Sequence, residues 1–238
     1  MMRKLSINSV TRESELECHQ YLRRVLETCS NLGVEAYLVG GFVRDQLLHR
    51  SSRDLDIAVV GDNYTLGNAI ARSIDGKVVF LGETKRVVRV IPSRSTVTNY
   101  IDIVQVSEDL STNLETRDFT IDAMAIPIDM VFSSDLSSSI IDRHGGQEDL
   151  ANGIIRAISS TTFITDPIRL IRAIRLSGHL GFEFEPRTAK LIRQYAKLIT
   201  TVAWERIRDE LLKIHGASST CGCTTLRLKE RKLNPGDE

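Results

Sequence analysis

The chain has 238 residues, 42% of them hydrophobic and 26% charged, enough apolar material to bury a core and make one large or two small domains. Lys plus Arg number 31 and Asp plus Glu number 31, so no global basic field attracts nucleic acid, and an RNA or DNA partner must be held by a local patch. The apolar runs, such as IAVV at 57–60, fall well short of the roughly 18 residues a spanning helix needs, so the chain is not read as an integral membrane protein. The N-terminus has no apolar signal core, and Cys18, Cys29, Cys221 and Cys223 lack the spacing of a disulfide framework or zinc finger. The expectation is a cytoplasmic, reduced protein.

Leu16, Leu22, Val25, Leu26, Cys29 and Leu32 recur at helical spacing before Gly33, predicting an amphipathic helix over 14–32. EAYLVGGFVRDQLL reads as a short strand ending at Gly40-Gly41 and turning into a helix. DLDIAVV over 54–60 is a buried strand, TLGNAIARSI a helix, and KVVFLG, RVVRVIP and NYIDIVQV three further strands. FTIDAMAIPIDMVF predicts a helical turn followed by a strand, and the serine-rich SSDLSSS a loop or hairpin tip. From Asp166 to His215 the pattern turns helical and basic, with ten Lys and Arg against six Asp and Glu. Past Gly216 the apolar period is lost, and the tail is expected to be poorly ordered.

Asp54 and Asp56 lie two apart in a strand, so both carboxylates leave the sheet on one face. Paired carboxylates repel unless a cation neutralises them, and Mg²⁺ working on phosphates is their common partner; for a bare DxD, a pattern that is common, one acid capping a turn and the other solvated is the more frequent explanation. Gly40 and Gly41, between a strand and a helix, let the backbone approach a triphosphate, and Arg44 one step on has the fork to clamp phosphate oxygens. A tight packing turn explains the same pair. Asp102, in YIDIV, is a third acid that completes a metal site or sits solvated at an edge.

Taken together, YLVGGFVRDQLLHRSSRDLDIAVVGD, RDFTIDAMAI and DPIRLIRAIRLSGHLGFEFEP resemble, in order and spacing, the class II tRNA nucleotidyltransferase and bacterial poly(A) polymerase family, from about residue 37 to about 214. The resemblance implies an α/β (α+β) fold: a polymerase-beta-like nucleotidyltransferase head with a mixed sheet over 1–150, then a helical neck over 151–215 that binds RNA and nucleobase, with 216–238 as the tail. It implies transfer of CMP, and of AMP, from CTP and ATP to the 3′ end of tRNA without a nucleic-acid template. Asp54 and Asp56 would be catalytic and hold two Mg²⁺ ions. Gly40, Gly41 and Arg44 would cradle the triphosphate, and Arg117 with Asp118 would place the nucleotide. Asp166 and Arg169, three apart on a helix, would read the base edge, with Arg172 and Arg175 supporting them or touching RNA phosphates.

The chain departs from the family where RRDFTINA is usual: Thr116 precedes Arg117 and Asp122 replaces an asparagine, removing one positive charge and adding one negative near the nucleotide. Little room remains between RVVRVIP, NYIDIVQV and TRDFT for the loop that switches members from C to A addition, which resembles members adding only the two cytidines. After ERIRDELLKI the family continues into helical domains that grip tRNA. Two other functions stay open: a poly(A) polymerase, which shares the head, and a truncated, catalytically weak nucleotide- or RNA-binding module. The five histidines form no HxxxH or HD pattern, the CxC at Cys221 and Cys223 has no visible partner, and Trp204 is expected to anchor the last helix.

Overall fold

Alternating burial explains the strands. In β2 (Asp54–Val60), Leu55, Ile57 and Val59 are fully buried on one face while Asp54 and Asp56 emerge on the other. The computed structural model describes residues 5–50, 52, 54–81, 86–93, 100–106, 109–133 and 135–220. Its described residues form one unit through Thr162 and a second from Phe163 onward.

The first unit is built on a seven-stranded mixed sheet. Its strands are β1 (Glu35–Val39), β2, β3 (Gly76–Leu81), β4 (Val87–Pro92), β5 (Tyr100–Val106), β6 (Met124–Pro127) and β7 (Ile141–Asp142), in the order β3-β4-β5-β2-β1-β6-β7. Only β2 and β5 run parallel; the other neighbours are antiparallel. Between Glu35 and Val60 the chain makes the expected strand, glycine turn and helix α2 (Gly41–Leu47) before returning as β2. Helix α3 (Asn63–Ser73) starts at Asp62, whose carboxylate accepts the N–H groups of Tyr64 and Thr65, the usual way to satisfy open donors at a helix start. It covers the Leu55 face so closely that a Cβ on Gly67 would come 2.6 Å from Val88 Cγ1. Helix α1 (Leu5–Leu32), longer than its apolar period suggested, packs against α3. On the opposite face, α4 (Leu110–Glu115) buries Leu110 and Leu114 with Val39, Ala58, Val106 and Ala125. That helix covers one end of the face, and at the other end Asp54 is exposed. The predicted helical turn is a 3₁₀ turn at Thr120–Asp122, and the serine-rich loop joins the antiparallel β6 and β7. Helix α5 (Gly146–Asn152) follows.

The short helix α6 (Thr162–Thr165) leads to the second unit, whose main helices are α7 (Arg169–Leu180), α8 (Pro186–Tyr195) and α9 (Trp204–Thr220). Leu170, Ala173 and Leu176 form the buried stripe of α7, which packs against α9. Pro186 opens α8 at a position where a missing N–H costs nothing, and the Glu185 carboxylate takes the Thr188 N–H at 2.7 Å. Trp204 is 65% exposed, which corrects its expected role as an anchor. Helix α9 runs through Gly216 to Thr220: a glycine costs a helix about 1 kcal/mol but does not by itself end it. The tail from 221, with Cys221 and Cys223, lies outside the described residues, as do 94–99 and 107–108, which fall within the segments where the shortened loop is expected. No helix of the described residues is long and apolar enough to cross a membrane.

Candidate active site

The registry of the sheet assembles the acids. Asp56 lies opposite Asp102 across the parallel β2–β5 pair, and Asp54 lies opposite Tyr100. Asp54, Asp56 and Asp102 therefore share one face, as β-pleating requires of residues two apart and of register partners. Burial, and after it the charge of Asp54, pushes the Tyr100 hydroxyl up to about 12. Asp102 gives both of its oxygens to Arg89 of β4, whose Nε and Nη2 donate at 2.7 Å each, and that hydrogen bonding raises the Arg89 pKa. Among the described residues, no group of three or more His, Cys, Asp or Glu is arranged to hold a metal ion.

The glycine turn lies beside Asp56. Gly40 has φ 74° and ψ −142°, a region closed to side-chain-bearing residues. A Cβ there would come 3.2 Å from Asp56 Oδ2 and 3.0 Å from Arg117 Nη1. What Gly40 contributes is room, because its own N–H is directed to the Met124 carbonyl at 3.4 Å. Arg117 leans over this space: Nη1 is 3.8 Å from Asp56 Oδ2, and Nη2 donates to Asn113 Oδ1 at 3.2 Å. Asp118 is buried and accepts the Phe119 N–H at 3.1 Å, fixing the turn that carries Arg117. Thr116 ends α4 by donating its hydroxyl to the Asn113 carbonyl.

Arg44 is placed differently from a solvent-facing phosphate clamp. Its side chain is 10% exposed and is held by Asp122 at 2.6 Å and Asp45 at 2.8 Å, with one guanidinium nitrogen 3.2 Å from where a Gly41 Cβ would stand. Burial alone would lower its pKa, but the carboxylates of Asp122 and Asp45 more than reverse that and raise it. The added acid at Asp122 is thus committed to Arg44 below the glycine turn.

In the second unit, Asp166 precedes α7 in place of lying within it, since Pro167 disfavours helical backbone at the residue before it. The turn still couples it to Arg169, whose N–H donates to the Asp166 carbonyl at 3.1 Å. The Asp166 carboxylate is held by Arg206 Nη2 at 2.9 Å. Arg175 Nε meets Glu210 Oε2 at 2.7 Å, and Arg172 Nη1 lies 3.9 Å from Glu210 Oε1, which also receives Lys213 at 2.9 Å. Sequence reasoning missed Arg89, Asn113, Arg206 and Glu210. Only Glu210 carried a usable signal: it falls between Ile207 and Ile214 in the inward phase of α9, an acid at a core position.

Residues 36–156 match the family model described as the poly A polymerase head domain, and 181–215 match one described as the probable RNA and SrmB-binding site of polymerase A. The chain belongs to the poly(A) polymerase head-domain family, that of the class II tRNA nucleotidyltransferases. The family member from Geobacter sulfurreducens named a CC-adding tRNA nucleotidyltransferase is 39% identical over 182 residues, 76% of this chain and 40% of the relative. A CCA-adding enzyme from Lactobacillus helveticus is 34% identical over 200 residues, 80% of this chain and 48% of the relative. Among solved structures, the Thermotoga maritima CCA-adding enzyme complexed with tRNA aligns with a TM-score of 0.70 at 30% identity, over 83% of this chain and 47% of that one. Similar alignments reach CCA-adding enzymes in complex with CTP and with ATP. The chain therefore spans about half the length of the family members it matches.

Proposed function

We propose that this chain carries the head and neck of a template-independent RNA nucleotidyltransferase that adds CMP from CTP, and AMP from ATP, to the 3′ end of tRNA. The observation that carries this reading is the face shared by Asp54 and Asp56 in a member of this family, opening beside a glycine whose Cβ would fill the space next to Asp56. Those residues fit Mg²⁺: two hard carboxylates on one strand face, with Arg117 and the kept space of Gly40 beside them. Bound there, Mg²⁺ would acidify the RNA 3′ hydroxyl and stabilise the pyrophosphate leaving group.

The other residues bind and orient. Gly40 and Gly41 admit the triphosphate, and Arg117, fixed by Asn113 and by the Asp118 turn, supplies its positive charge. Arg44, in the helix that follows the two glycines, is held by Asp122 and Asp45 and keeps its positive charge near that turn. Asp166 accepts from the cytosine amino group and Arg169 donates to the ring nitrogen and carbonyl, with Arg172 and Arg175 held for support by Glu210. The Geobacter sulfurreducens relative, named as CC-adding, motivates a second reading in which only the two cytidines are added, beside the CCA addition for which the Lactobacillus helveticus relative is named.

The test is incorporation of labelled CTP and, separately, ATP into a tRNA lacking its CCA end and into a generic RNA, with Mg²⁺. CMP on tRNA alone supports CC addition, CMP followed by AMP supports CCA addition, and AMP on any RNA overturns the tRNA assignment in favour of a poly(A) polymerase. Triphosphate binding without any transfer overturns the catalytic reading in favour of a binding module.

A further inference from the structure

Asp102 is by position a third acid of the cluster: it lies opposite Asp56 in the β2–β5 register and on the same face. Its carboxylate is nevertheless fully engaged by one residue. Arg89, opposite Asp102 in the β4–β5 register, donates Nε to Oδ1 and Nη2 to Oδ2, both at 2.7 Å. This is the two-pronged geometry that an arginine can make and a lysine cannot. The guanidinium is fixed from a second direction, with Cζ 3.6 Å from the centroid of the Tyr100 ring. Tyr100 precedes Asp102 by two residues on the same strand and faces Asp54 across the register. The pair is 28% and 15% exposed, so it is neither an open surface contact, where such pairs contribute little, nor a dry interior one.

We propose that Arg89 is a positioning residue that withholds Asp102 from the divalent-cation site, leaving Asp54 and Asp56 as the carboxylates that hold the ions. This rests on the reading above that those two aspartates bind Mg²⁺. To recruit Asp102, an ion must displace two short charge-assisted hydrogen bonds and a guanidinium stacked on Tyr100. Arg89 also brings a fixed positive charge to the edge of a cluster of three acids, as Arg117 does beside Asp56. Removing Arg89 should therefore strengthen cation binding by releasing a third carboxylate, although the same substitution deletes a partly buried contact. A purely structural role for Arg89 predicts no such gain.

The experiment titrates the full 238-residue chain with Mn²⁺, following free Mn²⁺ by electron paramagnetic resonance, with circular dichroism confirming that each variant is folded. Asp54→Asn should weaken Mn²⁺ binding about tenfold or more, and Asp102→Asn should leave it within about twofold of the unaltered chain. Arg89→Ala should tighten it by about tenfold, the scale on which partners of ligating groups alter metal affinity. Arg89→Lys, which keeps the charge but lacks the fork, should tighten it less. Adding Asp102→Asn to Arg89→Ala should cancel the gain, since the coupling lies in that pair. Weakening by Asp102→Asn equal to that by Asp54→Asn overturns the inference while the two-aspartate reading stands, as does an Arg89→Ala chain with no gain dependent on Asp102. Unchanged binding in Asp54→Asn overturns the metal reading itself and the inference with it.

Discussion

Arg44 and Asp122, 78 residues apart in sequence, meet at 2.6 Å with side chains 10% and 6% exposed. The pair ties the helix after the glycine turn to the 3₁₀ turn before β6, two segments that flank the same site. Asp122→Ala leaves the Arg44 charge buried with Asp45 as its remaining close carboxylate, and removing one member of a buried pair costs about 3–5 kcal/mol. Urea denaturation should show a loss of that order. Asp122→Asn, which keeps an acceptor for the guanidinium, should lose less than half as much.

Gly40→Ala tests the turn itself. The new Cβ would need a backbone conformation that costs about 1–3 kcal/mol, and it would stand 3.0 Å from Arg117 Nη1 and 3.2 Å from Asp56 Oδ2. Stability should fall by that amount, and CTP binding measured by calorimetry should weaken at the same time. Lost stability with undiminished CTP affinity would separate the turn from the site.

Glu210 links α7 to α9 and makes the second unit sensitive to acid. Burial alone would raise its pKa, but the hydrogen bond from Lys213 and the charge of Arg175 outweigh it, and the carboxyl is held below its ordinary 4.5. Because the unfolded chain takes up the proton first, this stabilisation is complete above pH 4.5 and is lost as pH falls through the lower folded value. Trp204, the one tryptophan, sits at the start of α9 and reports on this unit. Glu210→Gln should lower stability by about 1–3 kcal/mol at neutral pH and flatten the acid limb of the Trp204 fluorescence profile. A variant with the unaltered acid profile would show that the Arg175–Glu210 bond carries none of it.

Much of this was legible in sequence, for physical reasons. The DLDIAVV strand and the strand, glycine turn and helix around Gly40 follow from alternation and from the special backbone of glycine, both local properties. The shared face of Asp54 and Asp56 follows from the period of two. The partners of these residues were not legible. Nothing local tells that Arg44 would find Asp122, that Arg89 would grip Asp102, or that Arg206 would reach Asp166 across 40 residues. Such pairs depend on register and helix packing, which only the fold fixes. Trp204 was misjudged because a bulky aromatic at a helix start has the same pattern whether it faces inward or outward.

Asp166→Ala should blur the choice between CTP and ATP. A base-edge contact of this kind is worth about 1–3 kcal/mol of discrimination, roughly 5- to 150-fold in the ratio of the two kcat/KM values. That ratio, measured with both nucleotides on one RNA primer, checks it; an unchanged ratio would remove Asp166 from base reading.

On the proposed function, Asp54 and Asp56 carry the chemistry, and labelled CMP incorporation into tRNA lacking CCA, by this chain beside its Asp54→Ala variant, tests that assignment. The unaltered chain should incorporate CMP and the variant should lose about 10³-fold or more of that activity, the several kcal/mol of charge stabilisation that a bound ion supplies, with the circular dichroism spectrum unchanged. Equal incorporation by both, with both folded, would contradict it.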